Sequence, residues 1–334
     1  MMRTDLARTD LARTDLALEQ REILREGQPD DSEIGGVEIE TEEIGDITVT
    51  WVKIVNEEGS NAMGKPMGNY ITIESPAMKD NDAESHEEII KIMAQKLGQL
   101  HNLGKDAAIL AAGLGNWQVT PDALGPKVIE KLLVTRHMSE IMPEELHDKL
   151  RSVAAIAPGV MGITGIETGE IIKGVAEKIT PDLIIAIDAL AARRTSRINA
   201  TIQMTDTGIN PGAGLGNIRM RLNEETMGVP VIAIGVPTVV DAATLVNDTM
   251  NHMLSEMINE APEGSPFYEM LMDLEDNDKY SLIKDILDPY TGNMFVTPKE
   301  VDAVVDRLTN IISNAVNIAL HPGVDCGDIN KYAY

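Results

Sequence analysis

The sequence predicts an α/β fold with a mainly parallel sheet flanked by helices. Three continuous apolar runs are typical of strands that are buried on both faces, as in parallel sheets. They occupy residues 107–112, 183–187 and 229–236. Segments with helical spacing of apolar residues separate these runs, and strands that alternate with helices indicate crossover connections. We therefore predict an α/β core over about residues 105–250.

The N-terminal part of the chain is predicted to be rich in β-structure. A short helix over about residues 18–26 leads into a linker of Gly, Pro and Asp residues. Beyond it, apolar and polar residues alternate over 47–55 and 69–74, with turn-forming residues between the two segments. This pattern predicts a β-hairpin within a β-rich segment at about residues 36–75.

Helices and strands alternate through the rest of the chain. The helices are predicted at residues 85–101, 121–135, 168–178, from 241 onward and at 297–320. The strands are predicted at residues 107–112, 153–157, 183–188, 200–204 and 229–236. Residues 260–293 are polar and acidic, which predicts a surface excursion before the last helix.

The composition limits the class of protein. Hydrophobic residues make up 43% of the 334 residues, which predicts a globular protein, and aromatic residues only 3%, so the core must be aliphatic. The net charge of -26 argues against direct binding of nucleic acid or an anionic membrane. No apolar stretch has the length of a membrane span, and the single cysteine, Cys326, excludes a disulfide within one chain. We expect a cytoplasmic protein.

Two aspartates follow predicted strands, at the sheet edge where ligands bind in open α/β folds. Asp122 follows the first apolar run and Asp188 ends the second. If the two strands are neighbours, both carboxylates face one cleft. A structural interpretation also fits, with Asp122 in the first turn of a helix that begins at Pro121 and Asp188 as the N-cap of a helix that begins at Ala189.

A pair of carboxylates can divide the acid and base roles of a hydrolytic reaction. Both cannot ionise easily when they are close, so one keeps its proton near neutral pH. The ionised partner can draw a proton from water while the protonated one polarises a peptide carbonyl. A helix N-terminus would lower the pKa of Asp122 and make it the base, which leaves Asp188 as the acid.

Glycine-rich turns and a basic group are further candidates for ligand contacts. The turn Gly113-Leu114-Gly115-Asn116 could cradle a phosphate, but it lacks the third glycine of a dinucleotide fingerprint. Together with Gly162 in a second glycine-rich loop, it could instead line a peptide groove. Arg193, with Arg194 and Arg197, could contact an acidic side chain of a substrate or hold the helix predicted after Asp188 against acidic neighbours.

The sequence predicts no cofactor, but a metal is not excluded. The six histidines show no metal-binding spacing. A metal held by Asp122, Asp188 and a histidine brought in by the fold is one alternative to catalysis by the two carboxylates alone. A non-catalytic module whose loops hold peptides or nucleotides is another.

A five-residue repeat opens the chain. Arg-Thr-Asp-Leu-Ala occurs three times within the first seventeen residues, and the third copy ends in Asp15-Leu16-Ala17. Five residues are too few for a solenoid unit. A polar tail that grew by duplication and a segment that is removed by proteolysis both fit the repeat.

Several longer motifs resemble those of the germination proteases of endospore-forming bacteria. They are Gly-Leu-Gly-Asn at 113–116, Val-Thr-Pro-Asp-Ala-Leu-Gly-Pro-Lys at 119–127, Pro-Gly-Val-Met-Gly-Ile-Thr-Gly-Ile-Glu-Thr at 158–168, Ile-Ile-Ala-Ile-Asp-Ala-Leu-Ala-Ala-Arg at 184–193, Asn-Ala-Thr-Ile-Gln at 199–203 and Ile-Ala-Ile-Gly-Val-Pro-Thr-Val-Val-Asp at 232–241. The resemblance extends from the repeat to residue 302 and covers nearly the whole chain. The Gly-Leu-Gly-Asn turn has a remoter likeness to the hydrogenase-maturation proteases, which recognise metal.

The resemblance implies a self-processing endopeptidase that begins the degradation of small acid-soluble spore proteins during germination. The preferred cleavage follows Glu or Asp, before a large apolar residue and then Ala, which Asp15-Leu16-Ala17 matches. A cut between Asp15 and Leu16 would make residues 1–15 a pro-segment and residues 16–334 a single peptidase domain. The resemblance also places the catalytic pair on Asp122 and Asp188.

The same resemblance implies a homotetramer in the spore interior. The substrates implied by the resemblance coat DNA, so any contact with nucleic acid would be made by these substrates and not by this chain. Because the repeat occurs three times, the Asp5–Leu6 and Asp10–Leu11 bonds are also candidates for processing.

Overall fold

The computed structural model describes residues 14–25, 34–138, 141, 143–212, 219–261, 265 and 294–328. The first two copies of the repeat and nearly all of the predicted surface excursion at 260–293 lie outside these residues. No helix within the described ranges is long and apolar enough to cross a membrane.

A mixed sheet of nine strands forms the centre of the described structure. The strands are β1 (Val37–Ile44), β2 (Ile47–Ile54), β3 (Gly68–Glu74), β4 (Ala108–Gly113), β5 (Ser152–Ile156), β6 (Leu183–Ala192), β7 (Thr201–Thr205), β8 (Val231–Asp241) and β9 (Phe295–Val296). Their order is β1-β2-β3-β7-β8-β6-β4-β5, with β9 paired to β8.

The α/β class predicted from the sequence is confirmed, and the sheet divides into two kinds of pairing. Strands β8, β6, β4 and β5 pair in parallel, as expected for the core. The predicted hairpin, β2 with β3, joins the same sheet through β7, and all its pairings are antiparallel. The sheet is therefore mixed, because β7 pairs with β8 in antiparallel orientation and the β-rich N-terminal segment extends the sheet further from β7.

Helices cover both faces of the sheet. They are α1 (Ala17–Arg25), α2 (Glu57–Met63), α3 (Ala83–Leu100), α4 (Leu124–Glu130), α5 (Glu144–His147), α6 (Met161–Thr164), α7 (Thr168–Ile179), α8 (Glu224–Met227), α9 (Ala242–Glu260) and α10 (Val301–Leu320). Along β6, Ile185 and Ile187 pack in a cluster with α3, α4 and α10, whereas Ile184 and Ala186 pack in a second cluster with α7. Side chains of a strand alternate between faces, so a strand covered on both faces must be apolar throughout.

Strand β6 is longer than the sequence predicts. The expected strand end at Asp188, followed by a helix from Ala189, is wrong. β4 stops at Gly113, opposite Ile187, but β6 continues to Ala192 beside β8, with a bulge after Leu190. Pairing with β8 thus overrides the helical propensity of the Ala-Leu-Ala-Ala segment.

The predicted helix over 121–135 is shorter in the structure and begins later. A 3₁₀ turn, Thr120–Asp122, precedes α4, which ends at Glu130. The chain after α4 is bonded to α10. The Asn317 side chain accepts the Leu133 N–H at 2.9 Å, and its amide nitrogen lies 3.3 Å from the Lys131 carbonyl oxygen. These contacts replace the hydrogen bonds that a longer helix would make.

Gly125 allows α4 to lie directly against the end of β4 and the middle of β6. A Cβ atom built on Gly125 would lie 2.3 Å from the Leu114 carbonyl oxygen and 2.4 Å from the Ile187 carbonyl oxygen. We expect Gly125→Ala to lower the free energy of unfolding by about 2–3 kcal/mol, since backbone atoms cannot move aside easily. Urea unfolding measures this.

A matched control is available in α7. Gly174 is exposed, and a Cβ built there meets no atom within 4 Å. Gly174→Ala should therefore raise the free energy of unfolding by about 0.5–1 kcal/mol, as expected for a helical glycine. Equal effects of the two substitutions would contradict the close approach of α4 to the sheet.

Candidate active site

Asp122 is held by the glycine turn that follows β4. Its carboxylate accepts the backbone N–H of Asn116 at 2.8 Å. Gly115 has φ +111°, and a Cβ there would lie 2.0 Å from the Asp122 carbonyl oxygen, so this position requires glycine. Thr238 on β8 donates its hydroxyl to the Pro121 carbonyl at 2.8 Å, which fixes the 3₁₀ turn against the sheet. The Gly-Leu-Gly-Asn turn thus positions a carboxylate.

Asp188 lies on β6, immediately beyond the last residue that pairs with β4. Its side chain is buried, with 7% of its surface exposed, and its carboxylate accepts the backbone N–H of Ala189 at 2.9 Å. β4 ends at Gly113 and does not continue beside Asp188. The Asp188 carboxyl therefore faces the space that is enclosed by the residues after Gly113.

Asp122 and Asp188 line one cavity of about 370 Å³. Burial and then the negative charge of Asp122 raise the pKa of Asp188 well above its usual value. Burial also raises the pKa of Asp122, although the Asn116 N–H and the Arg219 charge oppose this effect. The two carboxyls therefore interact, and Asp188 is the one that holds a proton more strongly.

The expected direction of the Asp122 shift is wrong. The sequence suggests that a helix N-terminus lowers the pKa of Asp122, but the residue lies in a three-residue 3₁₀ turn and burial raises its pKa instead. The order of the two groups is nevertheless the one expected, since the stronger burial and the neighbouring charge act on Asp188.

Asp15 lines the same cavity as the two aspartates. Its backbone N–H donates to the Ala191 carbonyl at 3.2 Å, and its carboxylate accepts the Ala191 N–H at 2.9 Å. The next residue, Leu16, is fully buried. Asp15 is thus held by two hydrogen bonds against the part of β6 that continues beyond β4, and the Asp15–Leu16 bond follows directly.

The other candidate residues have different positions. Gly115 lines the cavity, and Asn116 bonds to Asp122 through its backbone. Gly113 lies under α4, where a Cβ would come 2.3 Å from the Gly125 carbonyl oxygen, so its role in the structure is packing. Neither Gly162 nor Arg193 is among the residues that line this cavity.

The basic group anchors α1. The carboxylate of Glu19 accepts the backbone N–H groups of Arg193 at 2.7 Å and Arg194 at 2.9 Å. The Arg197 side chain donates two hydrogen bonds to Glu22 and one to Glu74. Of the two interpretations of this group, the contacts favour the structural one.

Sequence reasoning missed three polar residues near the aspartates. Arg219 lines the cavity and acts electrostatically on both carboxyls. Lys65 and Gln203 contact the Asp15 backbone. Arg219 comes shortly after a glycine-rich stretch at residues 208–217, and a basic residue beside that stretch was the feature of the sequence that could have indicated it. Within the described ranges, no three His, Cys, Asp or Glu residues group together as a metal site would require.

Comparison with known proteins identifies the family. A family model described as germination protease matches residues 14–272 and 256–333. The chain belongs to the germination protease family. The family is a peptidase family, and the resemblance seen in the sequence motifs is confirmed.

Curated relatives match almost the full length of this germination protease homologue. A germination protease of Clostridium perfringens (strain ATCC 13124) is 53% identical over 332 residues, which cover 99% of this chain and 98% of the relative. That of Clostridium tetani is 53% identical over 331 residues and covers 99% of both chains. The germination protease of Bacillus cereus (strain AH187) is 43% identical over 367 residues, with 100% of this chain and 97% of the relative covered.

Proposed function

We propose that this chain is a self-processing endopeptidase in which Asp122 and Asp188 are the acid–base pair. The observation that carries the proposal is the shared cavity, in which the charge of Asp122 raises the pKa of Asp188. Asp122, which loses its proton more readily, takes a proton from the attacking water. Asp188 keeps its proton and supplies it to the departing amine.

We further propose that the substrates are small acid-soluble spore proteins, cleaved during germination after Glu or Asp. The names of the relatives support the germination role. The position of Asp15 at the cavity supports the preference for an acidic residue followed by a large apolar residue and Ala. A homotetramer in the spore interior, without direct binding of nucleic acid, belongs to the same proposal.

The pro-segment in this proposal ends at Asp15, and Asp15 itself lies at the cleft before maturation. The Asp15 carboxylate is already bonded to Ala191 beside the aspartates, so an acidic substrate residue cannot enter the same place. Cleavage of the Asp15–Leu16 bond would release the upstream residues and open the cleft. The precursor is therefore expected to be inactive toward added substrate.

Incubation of the purified full chain tests this proposal. We expect a mature protein that begins at Leu16, identified by N-terminal sequencing and intact mass, and an Asp122→Asn variant that stays at full length. The matured protein should cleave a peptide with Glu-Leu-Ala much faster than one with Gln-Leu-Ala. A mature N-terminus other than Leu16 would contradict the assigned processing bond.

The same assay separates the alternative mechanisms. Activity that survives long incubation with a chelator would favour the aspartate pair alone. Activity that is lost with the chelator and restored by one metal would favour a metal-assisted peptidase. If neither wild type nor Asp122→Asn cleaves any peptide, the chain is a binding module and the proposal fails.

A further inference from the structure

The carbonyl of Asp15 accepts two side-chain hydrogen bonds. Lys65 Nζ lies 3.0 Å from this oxygen, and Gln203 Nε2 lies 3.3 Å from it. The oxygen belongs to the Asp15–Leu16 peptide bond, which is the bond that the proposed maturation breaks. Two donors on one carbonyl oxygen, one of them an ammonium, polarise that bond.

Both donors are held in place by other parts of the protein. The Gln203 side chain is buried, and its Oε1 accepts the Ala17 N–H at 2.6 Å, which directs its amide nitrogen toward Asp15. Lys65 follows α2, and its own carbonyl accepts the Ser60 hydroxyl at 2.8 Å. The donors are therefore positioned by the fold before any reaction begins.

Lys65 is half-buried, and burial lowers the pKa of its ammonium. The carboxylates of Asp15 and Glu19 oppose this shift. A partly desolvated ammonium stabilises a developing negative charge more strongly than one that is fully exposed to water.

Two cavities meet at Asp15. One, of about 370 Å³, contains the aspartate pair, and the other, of about 540 Å³, is lined by Lys65 and Gln203. Asp15 lines both. Asp15 is thus shared between the cavity of the aspartate pair and the cavity of the two donors.

We propose that Lys65 and Gln203 are catalytic residues that stabilise the oxyanion formed when the Asp15–Leu16 bond is cleaved. This inference rests on the proposed function, in which Asp122 and Asp188 cleave that bond. It assigns the polarisation of the carbonyl to Lys65 and Gln203, which leaves the proton of Asp188 for the departing amine.

The steps balance. Water loses a proton to Asp122 and its oxygen bonds to the Asp15 carbonyl carbon, while the carbonyl electron pair moves to the oxygen that faces Lys65 and Gln203. When the carbonyl re-forms, the C–N bond breaks and Asp188 gives its proton to the Leu16 nitrogen. The products are the Asp15 carboxyl group and the Leu16 amine, and the aspartate pair again holds one proton.

Self-processing of the full chain tests the inference. Lys65→Met keeps an unbranched side chain as far as the ε position and removes the ammonium, so we expect processing to slow by about 10²-fold or more, as for the loss of an oxyanion donor. Gln203→Glu keeps an acceptor for the Ala17 N–H but removes the donor, and should slow processing by at least about ten-fold. Rates are measured from intact mass against time, and thermal unfolding shows whether each variant is folded.

Lys79→Met is the matched control. Lys79 also donates to a backbone carbonyl, that of Ser196 at 3.2 Å, but away from the cavity, so this variant should process at the wild-type rate. If wild type does not process, the proposed function fails. If wild type processes and folded Lys65→Met and Gln203→Glu match it, only the present inference is overturned. Should Lys65→Met fail to fold, the processing rate of Gln203→Glu alone tests the inference, and a wild-type rate would overturn it.

Discussion

Asp188→Asn is expected to slow self-processing and peptide cleavage by about 10²–10⁴-fold. Asparagine has nearly the shape of the protonated carboxyl but has no proton to give to the departing amine. The rate is measured on the full chain by intact mass. Asp182→Asn is a suitable control, because Asp182 lies just before β6 and its carboxylate accepts the Ala108 N–H far from the pair. Its rate should match that of wild type.

The stability of the same variant separates a chemical role from misfolding. The raised pKa of Asp188 means that the folded protein is most stable with this group protonated, and that this advantage is lost as pH rises through the folded pKa. Asp188→Asn carries no such charge, so its free energy of unfolding should exceed that of wild type increasingly as pH rises above about 4. An active Asp188→Asn protein would contradict the assigned acid.

Arg197→Met is expected to lower the free energy of unfolding by about 2–3 kcal/mol at neutral pH. The buried Arg197 side chain joins α1 to the end of β3 through Glu22 and Glu74, at distances of 2.6–2.8 Å. Its removal leaves the partly buried Glu22 and Glu74, and the buried Glu19 at 3.5 Å, without this cation. The expected loss is below that for a fully buried pair, since the two shortest ion pairs are to Glu22 and Glu74, whose side chains are about a quarter exposed.

Arg194→Met is the matched control for Arg197→Met. The Arg194 side chain is 45% exposed and lies 3.4 Å from Glu22, so its loss should cost less than about 1 kcal/mol. Burial raises the pKa of Glu22, but Arg197 outweighs it and holds this pKa below the ordinary value. The Arg197 contribution is therefore present above pH about 4.3 and declines as pH falls through the folded pKa of Glu22. A pH-independent difference between Arg197→Met and wild type would contradict this ion pair.

The apolar runs were enough to predict the α/β class and the strands that deliver the aspartates. Fully buried parallel strands must be apolar on both faces, so β4, β6 and β8 are visible in the sequence as continuous apolar runs. The position of both aspartates at one edge followed from the rule for open sheets, and the shared cavity agrees with it. These predictions depend on which strands are buried, and long apolar runs in a single sequence indicate this directly.

Features that depend on tertiary pairing were not predictable in the same way. The extension of β6 to Ala192 needs β8 beside it, and nothing local distinguishes the segment after Asp188 from a helix. Helix α2 lies in a segment rich in turn-forming residues, where the Asn56 side chain caps it by accepting the Gly59 N–H at 2.9 Å. The contact between Lys65 and the Asp15 carbonyl joins residues that are fifty positions apart, and no regular spacing of residues in the sequence indicates it.

The proposed mechanism requires that Asp122 and Asp188, which line one cavity, act as an interacting pair. Titration of the Asp188 carboxyl, followed by carbon NMR in wild type and in Asp122→Asn, tests it most directly. We expect the pKa of Asp188 to fall in Asp122→Asn while burial keeps it above the ordinary value. An unchanged pKa would show that the two groups titrate independently, and the proposed division of acid and base roles would lose its basis.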